Sequence, residues 1–541
     1  MKKFLLSVVA LISPFFLLAQ EASTSEKIDA VFSDYTGWFV QAIFYEIPFS
    51  EEFKIPWVLI VLIGGALYFT IYFKLINFTG FWTAIKVVRG KYEDIEKHGA
   101  DTLYGDPTPN EGEDIIETIR DDSADGEVSH FQALTAALSA TVGLGNIAGV
   151  AVALSIGGPG ATFWMIVAGL LGMASKFAEC TLGVKYRDVG EDGTVYGGPM
   201  YYLRKGLGEK GAGGLGKVLA ILFAIFVIGG SFGGGNMFQA NQAAAQFVEL
   251  FDFQNENAGM YFGIVMAVLV AVVIIGGIKR IASVTEKVVP FMAGIYVLAA
   301  LVILGANYTA IDDAFGLIFE GAFSGLGIAG GLIGVMIQGI RRGAFSNEAG
   351  VGSAAIAHSA VRTKYPASEG IVALLEPFVD TVVICTMTAL VIIITNYDAG
   401  FLEYGTPITE GVEITASAFD TVIPHFSIIL TVAVILFAFS TMISWSYYGM
   451  QGWKYLFGRG KVTDMVYKLL FLIFVIIGAS ISLGSVIDFS DAMIFAMVVP
   501  NIIGVVLLTP IVRKELNKYM SAIRKKADAI SEGADDINKH L

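Results

Sequence analysis

Two stretches combine residue types that suit neither a plain helix nor a solvated loop. The first is GLGNIAG, residues 143 to 149, set in the apolar run from Phe131 to Ile156. A glycine in a helix interior costs about 1 kcal/mol relative to alanine, so Gly143, Gly145 and Gly149 around Asn146 predict a break. The second is QGIRRGAFSNEAGVGSA, residues 338 to 354, which sets Arg341, Arg342 and Glu348 among four glycines in a stretch otherwise long enough to cross a bilayer. At membrane depth, unwound backbone is tolerated only where it lines a protein-buried or watery cavity, because each unpaired N–H or C=O costs several kcal/mol. Half-helix ends and bare carbonyls can bind a small zwitterion and a cation. The competing role for the glycines is close helix packing, as in small-residue interfaces.

The elements that must position these stretches are membrane helices. Of 541 residues 55% are apolar and 16% charged, and the mean hydropathy is +0.67, which describes a polytopic membrane protein in a lipid bilayer. The two cysteines, Cys180 and Cys385, lie in apolar segments and offer neither a disulfide framework nor a metal spacing. The net charge of −14 comes largely from the acidic run Glu93 to Glu127, which reads as a solvated loop. No nucleic-acid partner is expected.

Residues 1–20, MKKFLLSVVALISPFFLLAQ, read as a signal peptide, with a short apolar core that Pro14 interrupts. About eleven spans of roughly 20 residues follow, near 57–79, 131–156, 160–184, 216–246, 259–278, 284–306, 326–357, 368–396, 424–450, 464–486 and 490–512. Short cytoplasmic loops should be rich in Lys and Arg. With the mature N-terminus outside, the inner loops hold Lys86, Arg89, Lys185, Arg187, Lys279, Arg280, Arg362 and Lys454, while outer loops such as FDFQNENAG and VIDFSD have no basic residue. The C-terminus is then cytoplasmic, in an inner (plasma) membrane. The second and seventh spans run in opposite directions and carry the two interruptions, the pattern of an inverted repeat with its site at the midplane. The expected organisation is a periplasmic segment 21–56, an extra helix 57–79, an acidic cytoplasmic loop 80–129, repeat halves 130–306 and 307–512, and a cytoplasmic tail 513–541.

Several motifs resemble the alanine or glycine:cation symporters, also called sodium:alanine symporters. They are VGLGNIAGVA from Val142, GGPGATFWM from Gly157, GMASKFAECTL from Gly172, YGGPMYYL from Tyr196, NMFQAN from Asn236, RGAFSNEAGVGSAAIAH from Arg342 and DTVVICTMTAL from Asp380. The likeness covers roughly 57 to 515. It implies an all-α polytopic protein with the five-plus-five inverted repeat of the leucine transporter, moving small neutral amino acids with sodium or sometimes protons. The chain departs from the pattern at Leu144, where members often carry Thr, and at Ile166, where they carry a second Trp.

Alanine and glycine are zwitterions. Gly143, Leu144, Gly145 and Asn146 offer backbone N–H groups at a half-helix start for the carboxylate; the alternative for Asn146 is capping the broken helix. Asn236 and Gln239 lie one turn apart on the fourth span and can bond either end of a zwitterion, or simply join helices. Gln338, Ser346 and Asn347 are neutral donors and acceptors near the second break. Glu348 could face the ammonium or a cation, or pair with Arg341 or Arg342 as a gate strut. Ser440 and Thr441 on the ninth span, with carbonyls of Ala140 and Gly143, form a hard-oxygen set for sodium, at the contact where the implied fold keeps its sodium site; back-bonding within the helix is the alternative. Trp445, one turn further, could restrict side-chain size. Lys176 with Glu179, and Asp380 with Glu376, read as structural charges.

The expected function is import of alanine or glycine with sodium by alternating access, with sodium as co-transported ion and no organic cofactor. A proton-coupled symporter is the rival within transport. A membrane sensor is the rival outside it, disfavoured because no soluble output domain is visible, and no enzymatic motif is present.

Overall fold

The computed structural model describes residues 24–50, 54–99, 103, 127–190, 193–255, 257–324, 331–406 and 410–540. The expected signal peptide and most of the acidic run lie outside these residues. Among the described residues the chain is almost wholly helical, with two short hairpins, Glu46–Pro48 with Lys54–Pro56 and Asp188–Val189 with Val195–Tyr196.

Among the described residues six helices are long and apolar enough to cross a membrane: Gly160–Lys185, Gly213–Leu250, Gly277–Ala306, Pro366–Ala399, Phe426–Phe457 and Leu483–Ser531. They correspond to the expected third, fourth, sixth, eighth, ninth and eleventh spans. Trp57–Tyr72 and Ala258–Ile274 are shorter apolar helices at the expected first and fifth. The second span is divided into His130–Thr141 and Ala148–Gly157. Neither half, at 1.5 Å per residue, crosses a hydrocarbon core of about 30 Å by itself. The seventh consists of Gly331–Asn347, a turn, and the five-residue helix Ala354–His358. Both interruptions therefore fall where the glycines predict them. On the outer helices Val265, Phe291, Leu298 and Val432 are exposed, a surface suited to lipid rather than water.

Three features were not legible in the sequence. The segment before the first span holds a helix, Thr24–Ile43, docked on the last long helix through Phe32 against Phe489 (ring centroids 5.0 Å apart). The eleventh span does not end near 512; one helix, Leu483–His540, runs through Pro500 and Pro510 into the basic tail. The outer loop before the ninth span folds inward as Val412–Asp420. There Thr415 Oγ1 donates to the Ile147 carbonyl at 3.2 Å and Val412 N donates to Gln242 Oε1 at 2.9 Å, so this helix covers the outer side of the first break.

The expected Lys176–Glu179 pair does not form. Lys176 reaches across to Glu376 at 2.9 Å, and Glu179 accepts from Asn501 Nδ2 at 2.7 Å. A partner on another helix lets a fully buried cation meet its counter-charge head on.

Candidate functional site

The inner half of the second span starts at a capping box, in which Ser129 Oγ accepts from Gln132 N while Gln132 Oε1 accepts from Ser129 N. Between the halves the backbone is held by side chains in place of helix bonds. Asn146 Oδ1 accepts from Gly143 N at 2.9 Å, which is the capping role, while its Nδ2 donates to Asp380 Oδ1 at 2.7 Å. Leu144 N donates to Gln239 Oε1 at 3.2 Å, and Gln239 Nε2 donates to the Gly234 carbonyl at 3.0 Å. A Cβ at Gly143 would collide with Thr441 Oγ1 and lie 3.2 Å from Gln239 Oε1. A Cβ at Gly145 would lie 3.4 Å from the Ser346 Cα. The glycines thus serve close approach by three other helices.

Ser346 is in the last turn of the helix that enters the second break, so the first unwound segment meets that helix end at Gly145. Ser346 Oγ donates to Asp380 Oδ2 at 2.8 Å, and Asn347 Nδ2 donates to Thr381 Oγ1 at 2.9 Å. Asp380 accepts from Asn146, Ser346 and Thr381 together, so it is the junction of both breaks. It was read above as a structural charge paired in role with Glu376. The signal for more was its being an ionisable group inside an apolar span. Cys385 also faces the junction, 3.2 Å from Asn146 Nδ2.

Glu348 lies in the turn itself, at φ +55°, followed by Gly350 at +84° and Gly352 at +91°. Glu348 does not pair with Arg341 or Arg342. Its Oε1 accepts from Trp445 Nε1 at 2.9 Å and its Oε2 accepts from Ser353 Oγ. Both arginines converge on Asp491 of the last helix, Arg341 Nε at 2.7 Å and Arg342 Nη2 in a short contact. The reason is helical direction: Arg341 and Arg342 lie two turns before the break and face the eleventh span, whereas Glu348 is swung off the helix by its left-handed backbone.

On the ninth span the two adjacent hydroxyls part company. Thr441 Oγ1 donates to the Ser139 carbonyl at 2.9 Å, beside Gly143. Ser440 Oγ bonds back to the Phe437 carbonyl at 3.0 Å, the within-helix alternative. Its carbonyl instead accepts from Ser139 Oγ at 2.8 Å. The hydrogen-bonded oxygens at this contact are the Thr441 hydroxyl and the carbonyls of Ser139 and Ser440, while the Ser440 hydroxyl turns back into its own helix. Ala140 is buried in the same turn, one residue off the contact.

Three further expected residues lie elsewhere. Asn236 Nδ2 donates to the Phe471 carbonyl at 2.7 Å and so joins the tenth span. Gln338 stands beside Gly157 at the far end of the second span's outer half. The Trp445 ring packs on Gly230 and Gly235 of the fourth span, where the helix widens into a π-helical turn, Gly233–Met237. The fold thus brings together residues 143–146, Gln239, Ser346, Asn347, Thr441 and Asp380, all buried.

The model of the sodium:alanine symporter family matches residues 112–532. The chain is similar to the sodium/alanine symporter AgcS of Methanococcus maripaludis, 44% identical over 75% of this chain and 87% of that one. It is 34% identical to the amino-acid carrier protein AlsT of Bacillus subtilis over 89% of this chain and 93% of that one. Among solved structures it is similar to MhsT in complex with L-phenylalanine, at 14% identity and a TM-score of 0.48 over 74% of this chain and 99% of that one; so distant a likeness has no bearing on the site. The helices, the paired breaks and the motifs around them agree with these matches, and the chain belongs to the sodium:alanine symporter family, carriers rather than enzymes.

Proposed function

We propose that the chain imports a small neutral amino acid, alanine or glycine, with sodium, by alternating access. The observation that carries this reading is the meeting of the first unwound segment with the helix end that leads into the second break, Gly145 against Ser346, with Gln239 and Thr441 at the same break. Half-helix ends and neutral side chains can hold a carboxylate and an ammonium. Sodium takes hydroxyl and carbonyl oxygens without needing a formal charge, as at Thr441, Ser139 and Ser440.

The architecture proposed with it is eleven spans, with 130–306 and 307–512 as opposed repeat halves behind the extra helix 57–79. The mature N-terminus is outside an inner membrane and the C-terminus inside. A cavity of about 340 Å³, rich in basic side chains, is lined by Lys279, Tyr447, Gln451, Lys454, Asp464 and Lys468. Tyr447 is six residues from Thr441 on one helix, about 9 Å along its axis, so this cavity is a short step from the breaks.

The test is labelled alanine uptake into proteoliposomes under an inward sodium gradient. Uptake is expected to fall to background when choline replaces sodium, and unlabelled glycine is expected to compete; uptake unaffected by choline would overturn sodium coupling.

A further inference from the structure

On the Lys- and Arg-rich side, beneath both breaks, lies a chain of alternating acids and bases. His130, the first residue of the second span's inner half, has Nε2 2.6 Å from Glu96 Oε2 and Nδ1 in a short contact with Glu369. His358, the last residue of the short helix after the second break, has Nδ1 2.5 Å from Glu369 Oε1 and Nε2 in a short contact with Glu376. Glu376 meets Lys176 at 2.9 Å, and Tyr519 of the long C-terminal helix donates to Glu96 at 2.5 Å. Every one of these side chains but His130, which is nearly so, is buried.

A neutral imidazole has one N–H and one lone pair. Here each ring presents both nitrogens to carboxylates, so both must donate and each ring carries a proton. Lys176, His130 and His358 then balance Glu96, Glu369 and Glu376, charge for charge. Loss of one proton would turn a lone pair onto a carboxylate and leave an uncompensated buried charge. The surrounding charged groups are otherwise engaged. Glu179 is bonded to Asn501 and Glu348 to Trp445 and Ser353. Glu286 of the sixth span accepts from Gln132, Glu93 pairs with Lys97, and Arg187 donates to the carbonyls of Ser359 and Val361. Cys180 is buried beside Lys176, Tyr448 beside Glu376, and Tyr92 and Tyr365 against Tyr519.

We infer that this cluster is a proton-binding latch: protons on His130 and His358 fasten the inner halves of both broken helices to the third and eighth spans and hold the cytoplasmic side closed. The inference rests on the alternating-access reading but not on sodium. A ligand required by one conformation shifts the population toward it. Opening separates the rings from their carboxylates and removes the requirement, so acid favours the closed state and alkali the open one.

The experiment uses the full chain in inside-out vesicles with Thr135→Cys, a position on the inner half-helix only 3% exposed. Its labelling by a membrane-impermeant thiol reagent is expressed relative to the exposed Ser531→Cys variant, which cancels the thiol's own titration. The ratio is expected to rise at least about fivefold between about pH 6 and 9, the low end of ordinary allosteric coupling. With His130→Gln and His358→Gln together it is expected to be high and flat. Glu369→Gln, which removes the carboxylate shared by both rings, is expected to make the rise shallower; should the double variant fail to fold, an unaltered rise in this variant overturns the latch. A flat ratio in the otherwise native chain with sodium-driven uptake intact also overturns it and leaves the carrier reading standing. A rising ratio with sodium-independent uptake would support the latch and overturn sodium coupling alone.

Discussion

Thr441 and Ser440 are neighbours in sequence with the same functional group, and the fold gives them different work. A helix turns about 100° per residue, so only one of the two can face the first break. That one is Thr441, whose hydroxyl sits against Gly143, while Ser440 bonds back to Phe437. Thr441→Val removes one oxygen from the proposed sodium contact. The half-saturating sodium concentration for alanine uptake is expected to rise about tenfold, equivalent to about 1.4 kcal/mol and the scale of one hydrogen bond. Ser440→Ala is expected to change it less than about twofold. Sodium titrations at saturating alanine check this; equal shifts would remove Thr441 from the site. Leu144, which lacks the hydroxyl often found in the family, engages Gln239 through its backbone N–H, so the departure leaves that contact intact.

The two broken helices depend on struts that no local pattern announces. Asp491, fully buried, takes both Arg341 and Arg342 and ties the outer half of the seventh span to the eleventh. Arg341 also stacks over Phe44 beside the N-terminal helix, 4.2 Å from the ring centroid. Asp491→Asn would leave two guanidinium groups close together with Asp488, outside ion-pair range, as the remaining counter-charge. Breaking a buried pair costs about 3–5 kcal/mol, so a marked fall in the detergent-solubilised unfolding temperature is expected. Arg341→Gln, at a site 20% exposed and with Arg342 still in place, is expected to cost much less. Similar losses for the two would show that Asp491 is not the shared strut. The element scale also explains why Glu348 pairs with neither arginine. Its positive φ turns it toward Trp445 and Ser353.

For the whole molecule, the proposed direction across the bilayer rests on loop charge. Glu46, exposed in the hairpin that follows that helix, is proposed to face outward and Leu541 inward. A Glu46→Cys variant is expected to react with an impermeant reagent in intact spheroplasts. An epitope fused after Leu541 is expected to be cleaved by protease only in inside-out vesicles. Labelling and cleavage from the same side would overturn the orientation.

The sequence by itself determined that the chain is a polytopic membrane helix protein, that two spans are interrupted, and where. Apolar runs and glycine costs are local, so they can be read without knowing any neighbour. The breaks within 143–149 and 338–354 were of this kind, while close packing at Gly143 and Gly145 and capping by Asn146 were alternatives the sequence left open. Only the tertiary structure decided which polar groups meet: Asp380 as the junction of both breaks, Ser139 for Thr441, Asp491 for the arginines, Glu376 for Lys176, and Asn236 turned to the tenth span. Nor could an outer loop be seen to fold back over Ile147. Those pairings join residues far apart in the chain, chosen by helix rotation and by the cost of leaving a buried polar group unpaired, and neither quantity is written in any one segment.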